Sequence, residues 1–572
     1  MSVQKKKDLE CLYKYIRIIG AKNDHVWALI LTGICGMFSV FQPLYSQVDN
    51  YMVSLILNRC YDADVYCMFL NPVLCFLCGV LQKLFPQADV FTLLTRIMIL
   101  LGIYCIGYVI AKLSKTRREV FVAYVIIFIL AINASLFFEY FTVWAAFFSV
   151  TGMVLLLLSV RVQIPRWITF LGWIFVISGM MWREEVAAIF LPFYLLDFFV
   201  CFKITLVESR KEFLKKYFKV FMPVIICVII LETTKYTVQS FDKYAYGIEY
   251  NNTLGNLVDY PMEDYDAVAY LLPGVSENDY NSLQVRLLAD TDRVDAEYGA
   301  WIESVGRKRS SLLGVQQVIE ANIRLFQVIL TSKRTMFYCM LFFLFMIWNM
   351  LSDVKFYSKL ELLCAYFGAY LIMFFFSLVG RIPLRIIDSV IYAVWGILLV
   401  LFFSEKWESR RFDFKKLKII IVIFVIGIAC MDTLTYDFVK PQSVFNVKEY
   451  ADEDKWSSTY TDEQIFIWQT NEFVQYPMRD FMNQGKLMTE EFMRHNLCYG
   501  EWTWGQVYYI NYLERFQLPN PMKALLEREE TYLVAEDHTL VSTYIKEHYD
   551  ENVIVQKVDE IDGIPVWEFQ IL

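Results

Sequence analysis

Apolar runs of roughly 20 residues recur along this chain, and a helix needs about 17–25 such residues to cross the hydrocarbon core of a bilayer. Backbone amides in that core must be satisfied within their own segment, so such runs fold as spanning helices. The runs read near 26–47, 90–112, 119–138, 141–160, 167–182, 186–202, 219–236, 335–351, 359–379, 385–403 and 417–433. Composition agrees: 57% of residues are hydrophobic and only 20% charged, with a mean hydropathy of +0.40. A soluble single domain, a disordered chain and a disulfide-rich secreted module are thereby excluded. A polytopic α-helical membrane protein remains.

Loop charge orients the bundle. Lys5, Lys6 and Lys7 place the N-terminus in the cytoplasm under the positive-inside rule. Asn71–Phe85 is apolar but short and opens on Asn-Pro, which suits an interfacial or re-entrant helix. If it spanned, the basic loop Lys112–Arg118 would face outward. If it does not, that loop, Arg161/Arg166, Lys203–Lys219 and Lys406–Lys418 all fall inside. The second reading gives about eleven transmembrane helices in the plasma membrane, with the C-terminus extracytoplasmic.

Four regions follow from this topology. Residues 1–236 form an N-terminal transmembrane module whose first outer loop is 48–89. Residues 237–333 form a large, partly helical extracytoplasmic loop, 334–433 further spanning helices, and 434–572 an extracytoplasmic soluble domain. The formal net charge of −8 is explained by this division, because the last region holds 25 acidic against 11 basic residues. Such an acidic exterior makes nucleic acid a poor partner.

Local signals sketch the outer regions. Ser276 and Asp279 are spaced as a helix start, and Leu312–Leu330 carries apolar residues at helical spacing. In the tail, Phe466–Trp468 and Tyr532–Val534 read as strands and Thr539–His548 as a helix. Val553–Val558 and Pro565–Leu572 read as a hairpin around Asp562-Gly563, so the tail is α/β or α+β. Most of the thirteen cysteines lie in apolar spans. Cys75 and Cys78 read as packing residues, whereas Cys60 and Cys67, outside the membrane, could pair or remain thiols. The four histidines are not clustered, which argues against zinc.

Several charged residues sit where chemistry could use them. Asp49 follows the first span, and a carboxylate there is partly desolvated and so more basic than in water. It could take a proton from a hydroxyl, hold a divalent cation, or merely end the helix. Asp62 and Asp64 could share a metal ion bridging phosphates or form a solvated turn. Arg183, Glu184 and Glu185 lie at the outer end of a span; Arg183 could clamp a phosphate or pair with Glu184 or Glu139. Arg381 and Arg385 occupy another outer turn, with Asp388 beyond. Two arginines there defy the positive-inside bias and suggest an anionic ligand or lipid headgroups. Arg96 reads as the main intramembrane charge.

The order of these pieces resembles the GT-C superfamily of membrane glycosyltransferases, over roughly the first 400 residues. The resemblance is carried by Asp49-Asn50-Tyr51-Met52, by Asp64 to Asn71-Pro72-Val73-Leu74, and by Phe141-Thr142-Val143-Trp144-Ala145-Ala146. Arg183-Glu184, Asp259-Tyr260, Ser276-Glu277-Asn278-Asp279-Tyr280-Asn281 and Gly380-Arg381-Ile382-Pro383-Leu384-Arg385 add to it. These patterns are similar to an uncharacterised GT-C-like group of bacterial membrane proteins. The chain departs from it at Asn50, where a second acidic residue is usual.

That resemblance implies a polyprenyl-phosphate-linked sugar donor entering from the membrane lipids, its phosphate held by Arg183, Arg381 or Arg385. Asp49 would deprotonate the hydroxyl of a cell-surface glycan or lipid acceptor. Asp64 and Glu184 would line the substrate site, and no cofactor beyond a divalent cation suggests itself. Three other readings stay open: a polysaccharide polymerase or ligase, a transporter or flippase, and an inactive GT-C-like scaffold that binds glycan. A transporter would place polar residues near the midplane on two related halves. Here the charges gather at the outer face and no halves are detected.

Overall fold

The computed structural model describes residues 24–40, 48–86, 88–114, 120, 141–285, 290–308, 314–331, 335–336, 339, 346, 356–404, 463–469, 494–499, 502–518, 520–561 and 563–572. The expected spans at 119–138 and 417–433, and most of 335–351, lie outside these residues.

The helix Phe141–Arg161 is apolar on every side, and every residue from Phe141 to Val160 is buried. An all-round apolar helix belongs at the centre of a bundle, and the helices Val90–Leu113, Arg166–Trp182 and Leu384–Ser404 pack around it. Its closest neighbour is Arg166–Trp182, and glycines let the two backbones approach. A Cβ on Gly152 would lie 2.7 Å from the backbone nitrogen of Val176. Small residues are the usual means of such contact in membranes. Gly152→Val is therefore expected to force the pair apart at a cost of about 1–3 kcal/mol. Thermal unfolding in detergent measures this, and an unchanged midpoint would show that the contact is slack.

Among the described residues, five helical segments are long and apolar enough to cross a membrane: Val90–Leu113, Phe141–Arg161, Glu184–Ile204, Phe356–Leu378 and Leu384–Ser404. All five overlap spans expected from the sequence. Asp24–Val40 and Arg166–Trp182 are apolar helices of 17 residues, and Arg210–Gln239 is a helix of 30 residues that contains the expected 219–236 run. Pro72–Leu84 has only 13 residues, about 20 Å at 1.5 Å per residue, short of the ~30 Å core. Asn71 caps it, accepting from the Val73 amide at 3.1 Å, donating from its side chain to the Leu231 carbonyl at 3.2 Å and from its backbone to the Met181 carbonyl at 2.9 Å. One residue thus fixes three helices.

Arg96 is buried, at 7% exposed, and it is not alone. Arg161, expected as a loop charge, is drawn into the bundle by Asp197 and Glu361, which lie on two other apolar helices. Its guanidinium donates to Asp197 at 2.8 Å and to both oxygens of Glu361 at 2.6 and 2.7 Å. The three side chains are 7%, 0% and 0% exposed. Desolvation on this scale is tolerated only because the charges satisfy one another.

Beyond the bundle, Asp242–Asp259 is a helix, where the sequence shows only mixed aromatic and acidic residues. The Ser276/Asp279 signal is a true capping box, opening the helix Glu277–Gln284. The C-terminal region carries a five-stranded sheet: β1 (Ile465–Gln469), β2 (Asn496–Tyr499), β3 (Thr531–Val534), β4 (Val553–Ile561) and β5 (Ile564–Ile571), in the order β2-β1-β3-β5-β4. β1 pairs parallel with β2 and β3, while β5 is antiparallel to β3 and β4. The helix Thr539–His548 and the β4–β5 hairpin fall where their sequence signals lie; β2 has none.

This sheet domain sits on the other outer elements. Tyr61 of the first outer loop packs among Tyr508, Tyr509 and Tyr512 with ring centroids 5.6–5.8 Å apart. Arg515 donates to the Tyr61 carbonyl and Asn511 to Asp62, both at 2.7 Å. Tyr544 and Tyr549 both donate to the buried Asp290 at 2.7 Å, and His548 lies 2.7 Å from Asp279. Cys60 and Cys67 are both buried, and Cys67 keeps its thiol, so the two are not paired with each other.

Candidate functional site

Asp49 stands in the first turn of the ten-residue helix Val48–Leu57, whose N-terminal amides offer positive potential. Its carboxylate is 3.9 Å from the Arg385 guanidinium, and the two side chains are 27% and 31% exposed. Charge-assisted hydrogen bonds are usually about 2.7–2.9 Å long, so this pair is loose. Both side chains are partly open to their surroundings.

Arg381, in the same turn as Arg385, is held more tightly, 2.7 Å from Asp259 at the end of the Asp242–Asp259 helix. Burial lowers its pKa; Asp259 opposes this, and the neighbouring charges of Arg385 and Arg183 add to the lowering. Arg183 thus belongs to the same cluster. It caps the end of the Arg166–Trp182 helix and pairs with Glu185 at 2.9 Å. Its guanidinium lies over the rings of Phe69 at 4.6 Å and Phe141 at 5.3 Å. The buried Cys67 thiol, pushed up to about 12 by burial, is lowered by Arg183 and raised by Asp49, so both charges bear on it.

Asn50 is engaged with the central helix instead. Its side-chain oxygen accepts from the Phe141 amide at 2.8 Å and so caps the central helix, and the residue is fully buried. The missing second carboxylate is therefore replaced by a structural contact. Asn50→Ala leaves that buried amide unmatched and is expected to cost about 1–3 kcal/mol, read as a fall in the unfolding midpoint. Asn50→Asp, which keeps an acceptor, should fall less; equal losses would refute the capping role.

Two expected site residues are engaged elsewhere. Glu184 forms an ion pair with Lys235 near the end of the Arg210–Gln239 helix. Asp64 accepts from Lys243 at 3.0 Å, from the Tyr244 hydroxyl at 2.8 Å and from the Tyr66 amide at 3.0 Å. It ties the first outer loop to the Asp242–Asp259 helix. Lys235 and Lys243 carried no site signal of their own in the sequence, since their partners lie 51 and 179 residues away.

The cluster therefore brings together Asp49, Arg183, Arg381 and Arg385, with Asp259 and Glu185 as counter-charges. Guanidinium groups suit a phosphate or diphosphate, which accepts bidentate hydrogen bonds. The Asp49 carboxylate, loosely paired with Arg385, can accept a proton. With Asn50 turned inward, Asp49 has no second carboxylate from that position with which to hold a cation. Among the described residues, Asp279, Glu547 and His548 bring their ligand atoms within 4.8 Å of one another, but Asp279 already serves the capping box. The C-terminal domain reaches the cluster through Phe69, which packs edge-on against Trp502 at 4.6 Å.

No protein-family model matches the chain, and no curated protein matches it. Among solved structures, it is similar to the crystal structure of ArnT from Cupriavidus metallidurans in the apo state, at 10% identity and a TM-score of 0.36, with 95% of this chain and 97% of that chain covered. At that level the superposition assigns neither activity nor residues.

Proposed function

We propose that this chain is a membrane glycosyltransferase of the GT-C type, moving a sugar from a polyprenyl-phosphate donor to a glycan or lipid acceptor on the outer face. One observation carries the reading: Arg385 lies 3.9 Å from Asp49, with Arg381 in the same turn and Arg183 at the end of the apolar helix Arg166–Trp182. A lipid-linked phosphate entering from the bilayer would meet the arginines first. Arg385 is the best placed of them, because its contact with Asp49 is the loosest. Asp49 then accepts the proton of the attacking hydroxyl, and the new bond forms at the anomeric carbon as the bond to the donor phosphate breaks. The outer domains cover the space and select the acceptor.

The test is direct. Membranes holding the chain receive radiolabelled polyprenyl-phosphate sugars and a host cell-surface extract, and label is followed into glycan or lipid. Transfer with at least one donor is expected. No transfer with any donor would overturn the proposal in favour of transport or of glycan binding alone.

A further inference from the structure

A cleft of about 190 Å³ lies between the Asp242–Asp259 helix and the Val507–Arg515 helix, away from the arginine cluster. Tyr246 and Tyr250 come from the first helix, with Trp504 and Tyr509 facing them from the sheet domain. Tyr246 is 45% exposed and forms the open wall, while Tyr250 and Trp504 are nearly buried and form the floor. Thr291 and Glu514 supply the polar rim. Gly505 lets the floor close: its φ is +75°, and a Cβ there would come 2.9 Å from the Tyr250 ring.

The chemistry of this lining selects a ligand class. Among the described residues, no lysine or arginine lines the cleft, and the one charged group in its lining is the Glu514 carboxylate. Phosphates, nucleotides and other anions are therefore unsuited to it. Flat aromatic faces with a few hydrogen-bonding groups at the edge suit a ring that is apolar on its faces and polar around its rim. A neutral pyranose is such a ring. The volume is below the ~300–1,000 Å³ typical of sites for larger ligands, which limits the cleft to about one sugar unit. Its position also fits, since Trp504 follows by two residues the Trp502 that packs on Phe69 beside Arg183.

We infer that this cleft binds one neutral pyranose unit of the acceptor glycan. That the glycan is an acceptor rests on the transferase reading; that the ligand is a saccharide does not. The experiment uses the full chain in a detergent without a sugar headgroup. Saturation-transfer difference NMR is recorded with methyl glucoside, methyl galactoside, methyl mannoside and N-acetylglucosamine as probes. Ring C–H signals are expected from at least one probe. They should fall about fivefold or more in Tyr246→Ala, which removes a stacking face, and persist in Tyr246→Phe. Thr291→Trp, a change at an exposed position that fills the cleft, should remove them as well. No signal from any probe overturns the inference, as do signals unchanged in Tyr246→Ala and Thr291→Trp. The two proposals separate cleanly. Loss of sugar signal in these variants without transfer from any donor would keep the cleft and remove the transferase; the reverse would keep the transferase and remove the cleft.

Discussion

In membranes supplied with a polyprenyl-phosphate sugar and an acceptor, Asp49→Asn is expected to lower the rate of transfer about 10²–10⁴-fold, the range for losing a positioned general base. Asparagine has nearly the shape of aspartate, so the short helix it begins should persist. The geometry adds a second, opposite-signed expectation. Asp49 competes with any incoming phosphate for Arg385, at 3.9 Å, and removing its charge frees that guanidinium. The KM for donor should therefore stay level or fall while kcat collapses. Arg385→Gln should show the other pattern, with KM for donor raised about 10–100-fold, the equivalent of losing a ~1.5–3 kcal/mol charged hydrogen bond. Transfer by Asp49→Asn at the wild-type rate would remove Asp49 from the mechanism. A rise in its KM would mean that the carboxylate binds substrate rather than accepting a proton.

The largest structural effect is expected at the other end of the bundle. Arg161→Met leaves Asp197 and Glu361, both fully buried, facing one another with no guanidinium. Breaking a buried charge set by removing one partner costs about 3–5 kcal/mol, a large fraction of the ~5–15 kcal/mol stability of a typical folded protein. Thermal unfolding in detergent should show a much lower midpoint or no folded material. Adding Asp197→Asn and Glu361→Gln to Arg161→Met removes the stranded charges and should restore much of the loss. If the triple variant were no better than the single one, the damage would lie in packing of the arginine stem and not in uncompensated charge.

What could be read from the sequence was what neighbouring residues decide among themselves. The Ser276/Asp279 box, the Thr539–His548 helix and the β4–β5 hairpin are set by residues a few positions apart, and all lie in their expected elements. The apolar runs at 90–112, 141–160 and 385–403 are legible for a similar reason, since length and hydropathy alone mark them. Long-range partners were not legible. Arg161 reads as an inner-loop charge until Asp197 and Glu361, 36 and 200 residues away, are brought to it. Asn50 reads as a depleted acidic pair until the Phe141 amide 91 residues on reveals it as a cap. The strand Asn496–Tyr499 has no alternation to announce it because all four residues are buried within the sheet. Within the candidate site, Arg381 and Arg385 stood out in the sequence by defying the positive-inside bias. Their counter-charge Asp259 was visible as a residue but not as a partner.

The seating of Tyr61 among Tyr508, Tyr509 and Tyr512 bears on how the protein is made. Asp62 and Asn511, which hydrogen-bond beside it, are separated by 449 residues. At ~5–20 residues per second of synthesis, the loop waits roughly 20–90 s before its partner is translated. Throughout that interval an aromatic ring destined for complete burial stands in water. The packing around Tyr61 is completed only once Tyr508, Tyr509 and Tyr512 have been made, so this step of maturation should be late and open to surveillance by chaperones.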